Sequence, residues 1–286
     1  MWRRGVKSRR TARIPYELED KMQKLRNPAR ERLRQGELAL GAGIRLSRTA
    51  EVADMMKTAG FDWLFIDLEH GAISIDTASQ MAVAALNAGI SPLPRVPKGE
   101  YAIATRLLDN GAVGIVVPHV DTADEAREIV GRLKYPPLGH RSVVGAMPHF
   151  GFRTMPMEET IAAVNEASMT VVMIESPEGV ANAAEIAAVE GVDVLMVGSN
   201  DLCAELGVPG AFDHPRYVEA LKVVAKACVD AGKWPGLAGV YSEALIAEYL
   251  TFGFRFVLCG NDLAFMMNAA KSRSAAVRTA DPQRGS

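Results

Sequence analysis

Residues 65–71, FIDLEHG, place Asp67, Glu69 and His70 directly behind an apolar run. Two carboxylates and an imidazole within four positions can hold and move protons, because an imidazole titrates near neutrality. The competing reading is solvated charge at a strand end. Chemically capable residues also follow other apolar runs: Arg95 in SPLPRV, His119 after GIVVP, Glu175 closing TVVMIE, and Asp201 in GSNDL. Glu175 and Asp201 on neighbouring strands could converge on one hard divalent cation, with water and a chelating ligand filling its shell. A helix-capping Asp and a solvated Glu are the alternative. Arg95 follows Leu93 by two, so both point to one side of the strand. A buried guanidinium there needs an anion, either a ligand carboxylate or an internal partner, Asp67 or Glu69. His119 reads as structural, packed over the end of its strand, and Lys98 as exposed. No strand supplies an interior Lys, so Schiff-base chemistry lacks its amine. The other strand ends read as apolar or small.

These residues need a scaffold that gathers strand ends. From Glu37 one unit recurs: a helical stretch, a Gly, a short link and an apolar strand. Gly60, Gly89, Gly111, Gly191, Gly232 and Gly253 stand where a helix C-terminus takes a left-handed residue. Ala78, Met81, Ala82, Ala85 and Leu86 form one helical stripe; Ala123, Ala126, Val130 and Leu133 form another. Pro215 falls in a first helical turn. Eight strands follow: LALGAGIRL, WLFIDL, SPLPRV, GIVVP, TVVMIE, VDVLMVG, PGLAGV and RFVLCG. They are continuous apolar runs, as strands covered on both faces should be. Eight such units predict an α/β chain folded as a (β/α)8 TIM barrel, whose chemistry lies at the C-terminal strand ends. A doubly wound sheet would want a Gly-rich phosphate fingerprint, which GAGIRLSR fits poorly.

Composition bounds the rest. The 286 residues are 49% hydrophobic and 23% charged, with net charge −2 and pI near 6.2, so nothing global favours nucleic acid or membrane. The opening MWRRGVKSRRTARIPY holds six Lys or Arg and no acid. A transit peptide and a nucleic-acid arm are its alternatives; the expectation is a mobile tail over 1–26. The barrel is expected over 27–272 and a C-terminal tail over 273–286. No apolar stretch is long enough to span a bilayer. Cys203, Cys228 and Cys259 lack metal-ligand or disulfide spacing, which suits a reducing cytoplasm.

The segments GFDWLFIDLEHG, RVPKGEYAIATRLLDNGAVGIVVPHVDTADEAREIV, YPPLGHRS, IESPEGVANAAEIAAVEGVD and GSNDL together resemble the HpcH/HpaI family of class II pyruvate aldolases, from about Asn27 to Ala270. The resemblance implies a barrel with a swapped eighth helix, assembled as a hexamer of three dimers. It implies Glu175 and Asp201 as ligands of a divalent cation (Mg²⁺, Mn²⁺ or Co²⁺). Arg95 would pair with the oxo-acid oxygens, His70 would be the base acting through water, Asp67 would orient His70, and Asp109 would support from behind. The turn at Gly198, Ser199, Asn200 and Asp201 would offer N–H groups to a substrate carboxylate. The chain departs from the family pattern at Met173, where a Gln is usual, in GHRSVVG, and at Gly43, where many members carry an aromatic. Met173 and the GHRSVVG loop border the pocket in the family. The period of two from Glu175 turns Met173 inward.

The implied function is a divalent-metal-dependent aldolase, a carbon–carbon lyase joining or cleaving a pyruvate-type 2-oxo acid and an aldehyde. Its rivals are a CoA-ester lyase of the citrate-lyase β type and a catalytically silent barrel that serves as a binding module. The expected partners are small molecules and further copies of the chain.

Overall fold

The structure is a computed structural model that describes residues 25–281. Residues 1–24, most of the predicted basic tail, lie outside the described residues. Eight parallel strands run in chain order: β1 Ala39–Ile44, β2 Trp63–Ile66, β3 Ser91–Pro92, β4 Gly114–Val117, β5 Met169–Ile174, β6 Val194–Gly198, β7 Trp234–Ala238 and β8 Phe256–Asn261. Their hydrogen-bonded order is β3-β2-β1-β8-β7-β6-β5-β4. Parallel neighbours need a crossover, and helices such as Ile75–Ala88, Ala123–Leu133 and Pro215–Asp230 supply it. Their predicted stripes are the buried faces: Ala78, Met81, Ala82 and Ala85 in one, Ala126, Val130 and Leu133 in another. All six predicted helix-ending glycines have positive φ, from 66° to 112°.

The ring closes between β3 and β4, and prolines explain why this seam pairs least. Leu93 and Arg95 donate to Leu64 and Ile66 of β2, at 2.9 and 2.8 Å. The alternate positions facing β4 are Pro92 and Pro94, which have no N–H. The seam is therefore held by Val113 and Val116 donating to the carbonyls of Pro92 and Pro94, and by Val96 donating to Val116. Arg95 bridges both neighbours in register with Asp67 and Val116.

Two apolar layers result. One lies between strands and helices; the other fills the barrel. Inside, Trp63 stacks on Phe256 at 4.0 Å. A Cβ at Gly41 would lie 2.2 Å from the Trp63 ring, so this glycine makes the large indole possible. The helix Pro28–Arg34 plugs the N-terminal end. Asn27 donates to the carbonyls of Val113 and Ala167, and Arg30 pairs with Asp193 at 2.6 Å.

Two sequence expectations change here. The boundary at 272/273 falls inside one continuous helix, Asp262–Thr279, so no separate C-terminal tail begins there. Only Asp262 of that helix is buried; Leu263, Met266, Met267 and Val277 are exposed. The GHRSVVG loop lies at the N-terminal end of the barrel, because His140 and Arg141 bond to Gly131 and Lys134, and His149 reaches the Ala112 carbonyl. Within one chain it does not border the cavity at the C-terminal ends.

Candidate active site

A cavity of about 240 Å³ opens at the C-terminal strand ends. Seven of the strands or the loops behind them contribute: Gly43 and Arg45, Asp67 and His70, Arg95, Met173 and Glu175, Gly198 to Asp201, Gly239 and Tyr241, and Asn261. The barrel rule therefore collects the predicted residues, with one exception. Asp109 ends the helix Tyr101–Asp109 and pairs with Arg141 at 2.5 Å, at the opposite end of the barrel. A helix leaving a strand returns to the far rim, so its last residue cannot face the pocket.

Arg95 points inward as its spacing predicts, and an internal partner holds it. Its Nε and Nη2 reach Asp67 Oδ1 and Oδ2 at 3.1 and 2.9 Å, while Nη1 lies 2.8 Å from Glu69 Oε2. The guanidinium sits 4.9 Å over the Phe65 ring. Its fork has further N–H groups for a ligand, since Arg carries five. Burial pushes the Asp67 carboxyl up, but Arg95 and the N–H groups of His70 and Glu69 outweigh it and hold it below the ordinary value. Asp67 thus fixes His70 through the backbone N–H, at 3.2 Å, rather than through the ring. The His70 imidazole is half exposed, with Nε2 3.7 Å from Glu69 Oε2.

Met173 is buried beside this cluster, its sulfur 3.9 Å from Arg95 Nη1. Glu175, two residues on, is buried to 2% exposure. Burial pushes its carboxyl up to about 7; the N–H of His119 draws it down and the Asp201 charge raises it further. A Cβ at Gly198 would fall 2.3 Å from Glu175 Oε1, so that carboxylate lies where only glycine leaves room. Asp201 stands in the first turn of the helix Ser199–Glu205. The Ser199 hydroxyl turns away to Tyr217 at 2.6 Å, so Ser199 can serve a ligand only through its backbone.

The reading of His119 as packing is overturned. Its backbone N–H donates to Glu175 Oε2 at 2.8 Å and its Nδ1 lies 3.3 Å from the same oxygen. Its φ is 53°, a left-handed conformation rare outside glycine. Lys98 Nζ fixes it from behind, donating to its carbonyl at 2.6 Å and pairing with Glu125 at 2.7 Å. Lys98 accordingly stays out of the cavity, and no lysine lines that cavity among the described residues. The expectation of small or apolar residues at the other rims is also wrong: Arg45, Tyr241 and Asn261 line the cavity from β1, β7 and β8. The strand-end rule, applied to GIRL and GNDL, would have found two of them.

A divalent cation fits these residues. An acid buried this deeply, crowded by a second acid and given room by a glycine, is destabilised without positive charge beside it. Two carboxylates form only part of a shell, and no group of three or more His, Cys, Asp or Glu poised for a metal occurs among the described residues.

The model of the HpcH/HpaI aldolase/citrate lyase family matches residues 45–269. The chain belongs to this family. It is 41% identical over 253 residues to the 4-hydroxy-4-methyl-2-oxoglutarate aldolase of Chaetomium globosum, covering 87% of this chain and 94% of that protein. The 2-keto-3-deoxy-L-rhamnonate aldolase of Escherichia coli O157:H7 is 35% identical, with 88% and 93% covered. The crystal structure of an HpcH/HpaI aldolase from Desulfitobacterium hafniense superposes with a TM-score of 0.83 at 29% identity, covering 87% of this chain and 96% of that one. The chain is thus an aldolase, a carbon–carbon lyase of the HpcH/HpaI family with a (β/α)8 barrel, and its class depends on a divalent metal. No helix among the described residues is long and apolar enough to cross a membrane.

Proposed function

We propose that the chain cleaves and forms the C–C bond between a pyruvate-type 2-oxo acid and a carbonyl acceptor, at the cavity bounded by Glu175, Asp201, Arg95 and His70. The observation that carries this reading is Glu175, buried against Gly198 with Asp201 adjacent and no lysine among the described residues that line the cavity. Glu175 and Asp201 would hold Mg²⁺, Mn²⁺ or Co²⁺. When bound, such a cation supplies positive charge that offsets the negative charge of an enolate. The remaining N–H groups of Arg95, locked by Asp67 and Glu69, position the oxo-acid oxygens. The backbone N–H groups of the Gly198–Asp201 turn face the substrate carboxylate.

In cleavage, His70, acting through water, takes the proton from the C4 hydroxyl. The C3–C4 bond then breaks, its electron pair moves to the oxo acid as enolate, and C4 departs as the acceptor carbonyl. A proton delivered to C3 completes pyruvate. Catalysis rests on charge already in place where negative charge develops. The exposed apolar side chains of the helix Asp262–Thr279 support exchange of this helix between copies in a homohexamer of three dimers. The chemistry needs no nucleic acid, and a cytoplasmic setting suits the three free thiols.

The test is chelation. EDTA abolishes turnover of pyruvate with an aldehyde, and Mg²⁺, Mn²⁺ or Co²⁺ restores it. Borohydride added with pyruvate leaves the chain unmodified; a trapped adduct refutes the reading.

A further inference from the structure

The geometry points to Arg45 as the residue that selects acceptors bearing a carboxylate, and hence to an oxo-acid acceptor rather than a neutral aldehyde. This inference rests on the function proposed above. Arg45 and Arg95 both line the cavity, yet they differ in what holds them. Arg95 is buried and tied at hydrogen-bond distance to Asp67 and near Glu69. The Arg45 side chain is 44% exposed, and the carboxylate oxygen it approaches, Asp67 Oδ2, is 3.7 Å away and already taken by Arg95. Its one side-chain hydrogen bond among the described residues is a 3.5 Å contact from Nη2 to the carbonyl of His70. Most of its five N–H groups are therefore open to an anion.

That contact also says which half of the substrate Arg45 meets. In cleavage the base must reach the hydroxyl on C4, and C4 is the carbon that leaves as the acceptor. A guanidinium beside His70 faces the substituents of that carbon, not the donor carboxylate. Two residues earlier, Gly43 also lines the cavity but contributes no side chain, and a Cβ there would meet Asn261 Cβ at 3.0 Å. Asn261 thus closes the space at Gly43, and only glycine fits there.

The base of Arg45 is fixed while its fork is free. The Asp262 carboxylate receives three consecutive N–H groups, from Arg45 at 3.0 Å, Leu46 at 3.0 Å and Ser47 at 2.7 Å. A pinned backbone under a free cation is what planar recognition of a carboxylate requires.

The experiment compares glyoxylate and acetaldehyde as acceptors for pyruvate in the metal-loaded enzyme. The two differ only in a carboxylate against a methyl group. Wild type prefers glyoxylate, and Arg45→Gln lowers the glyoxylate-to-acetaldehyde ratio of kcat/KM by about 10–100-fold, chiefly through the acceptor KM. Arg45→Lys recovers part of the preference. Raising ionic strength erodes it in wild type and not in Arg45→Gln. An unchanged ratio, or an equal loss on both acceptors with a lower Tm, overturns the proposal. Exchange of the pyruvate methyl protons in D2O separates the two readings. Wild type that exchanges but shows no acceptor preference refutes Arg45 alone; wild type that neither exchanges nor condenses refutes both.

Discussion

Gly198→Ala is the sharpest probe of the Glu175 carboxylate. Gly198 has φ −87° and ψ 93°, an extended conformation any residue adopts, so the added methyl strains no backbone. Its Cβ would lie 2.3 Å from Oε1, 2.6 Å from Cγ and 2.8 Å from Cδ of Glu175. Ordinary contact begins near 3.4 Å, so the carboxylate must retreat by about 1 Å. It cannot do so freely, because Oε2 is held at 2.8 Å by the N–H of His119. Overpacking of this kind costs about 1–3 kcal/mol of stability. A displacement of about 1 Å at a reacting centre costs on the order of 10²-fold in rate. The assays are urea unfolding of the metal-free protein, Mn²⁺ affinity by EPR titration, and kcat/KM with pyruvate and an aldehyde. Gly198→Ala should lose stability in that range, bind Mn²⁺ at least tenfold more weakly, and lose about 10²-fold in turnover. Shortening the partner in Gly198→Ala/Glu175→Asp should restore the stability. Wild-type Mn²⁺ affinity in Gly198→Ala would show that Glu175 is not where the cation binds.

Three further outcomes follow from the same side chains. Burial raises the Glu175 carboxyl from an ordinary 4.5 to about 7, so the folded chain holds a proton that the unfolded chain releases. Its contribution to stability is present in full below about pH 4.5 and is lost as pH rises through 7; the Tm of the metal-free protein should fall over that window, and Glu175→Gln should flatten the slope. At His119, the left-handed φ of 53° favours glycine, so His119→Gly should be about 1 kcal/mol more stable than His119→Ala in urea, and equal stability would show there is no strain. Met173→Gln places an amide beside Arg95 Nη1, and it should raise kcat/KM for a hydroxyaldehyde relative to a matched alkyl aldehyde with little change in Mn²⁺ affinity; an unchanged ratio makes Met173 core filler.

The strands and their gathering into a barrel were legible because the signals are local. A glycine of positive φ precedes six of the strands, an apolar run follows, and a period of two turns Arg95, Met173 and Glu175 inward. What was missed depends on contacts between distant segments. Nothing near His119 announces that its N–H meets Glu175, 56 positions away. Arg45 gains its setting from Asp262, at the other end of the chain. Asp109 was misplaced by a motif that did not track which rim its helix returns to, and the 272/273 boundary by a polar composition that reads equally as tail or exposed helix.

The prolines at the β3 seam, Pro92 and Pro94, have a dynamic consequence. Pro92 in β3 and Pro94 just beyond it have no N–H, so those two positions meet β4 through their carbonyls alone. Met173 belongs instead to β5, which Glu175 follows directly and which is laddered to β4 and β6 over four residue pairs each. Local opening takes the path with the fewest bonds to break. Amide protons of Val113 and Val116 should therefore exchange with solvent sooner than those of β5. The wall that carries the guanidinium should then open before the wall that leads to the carboxylate.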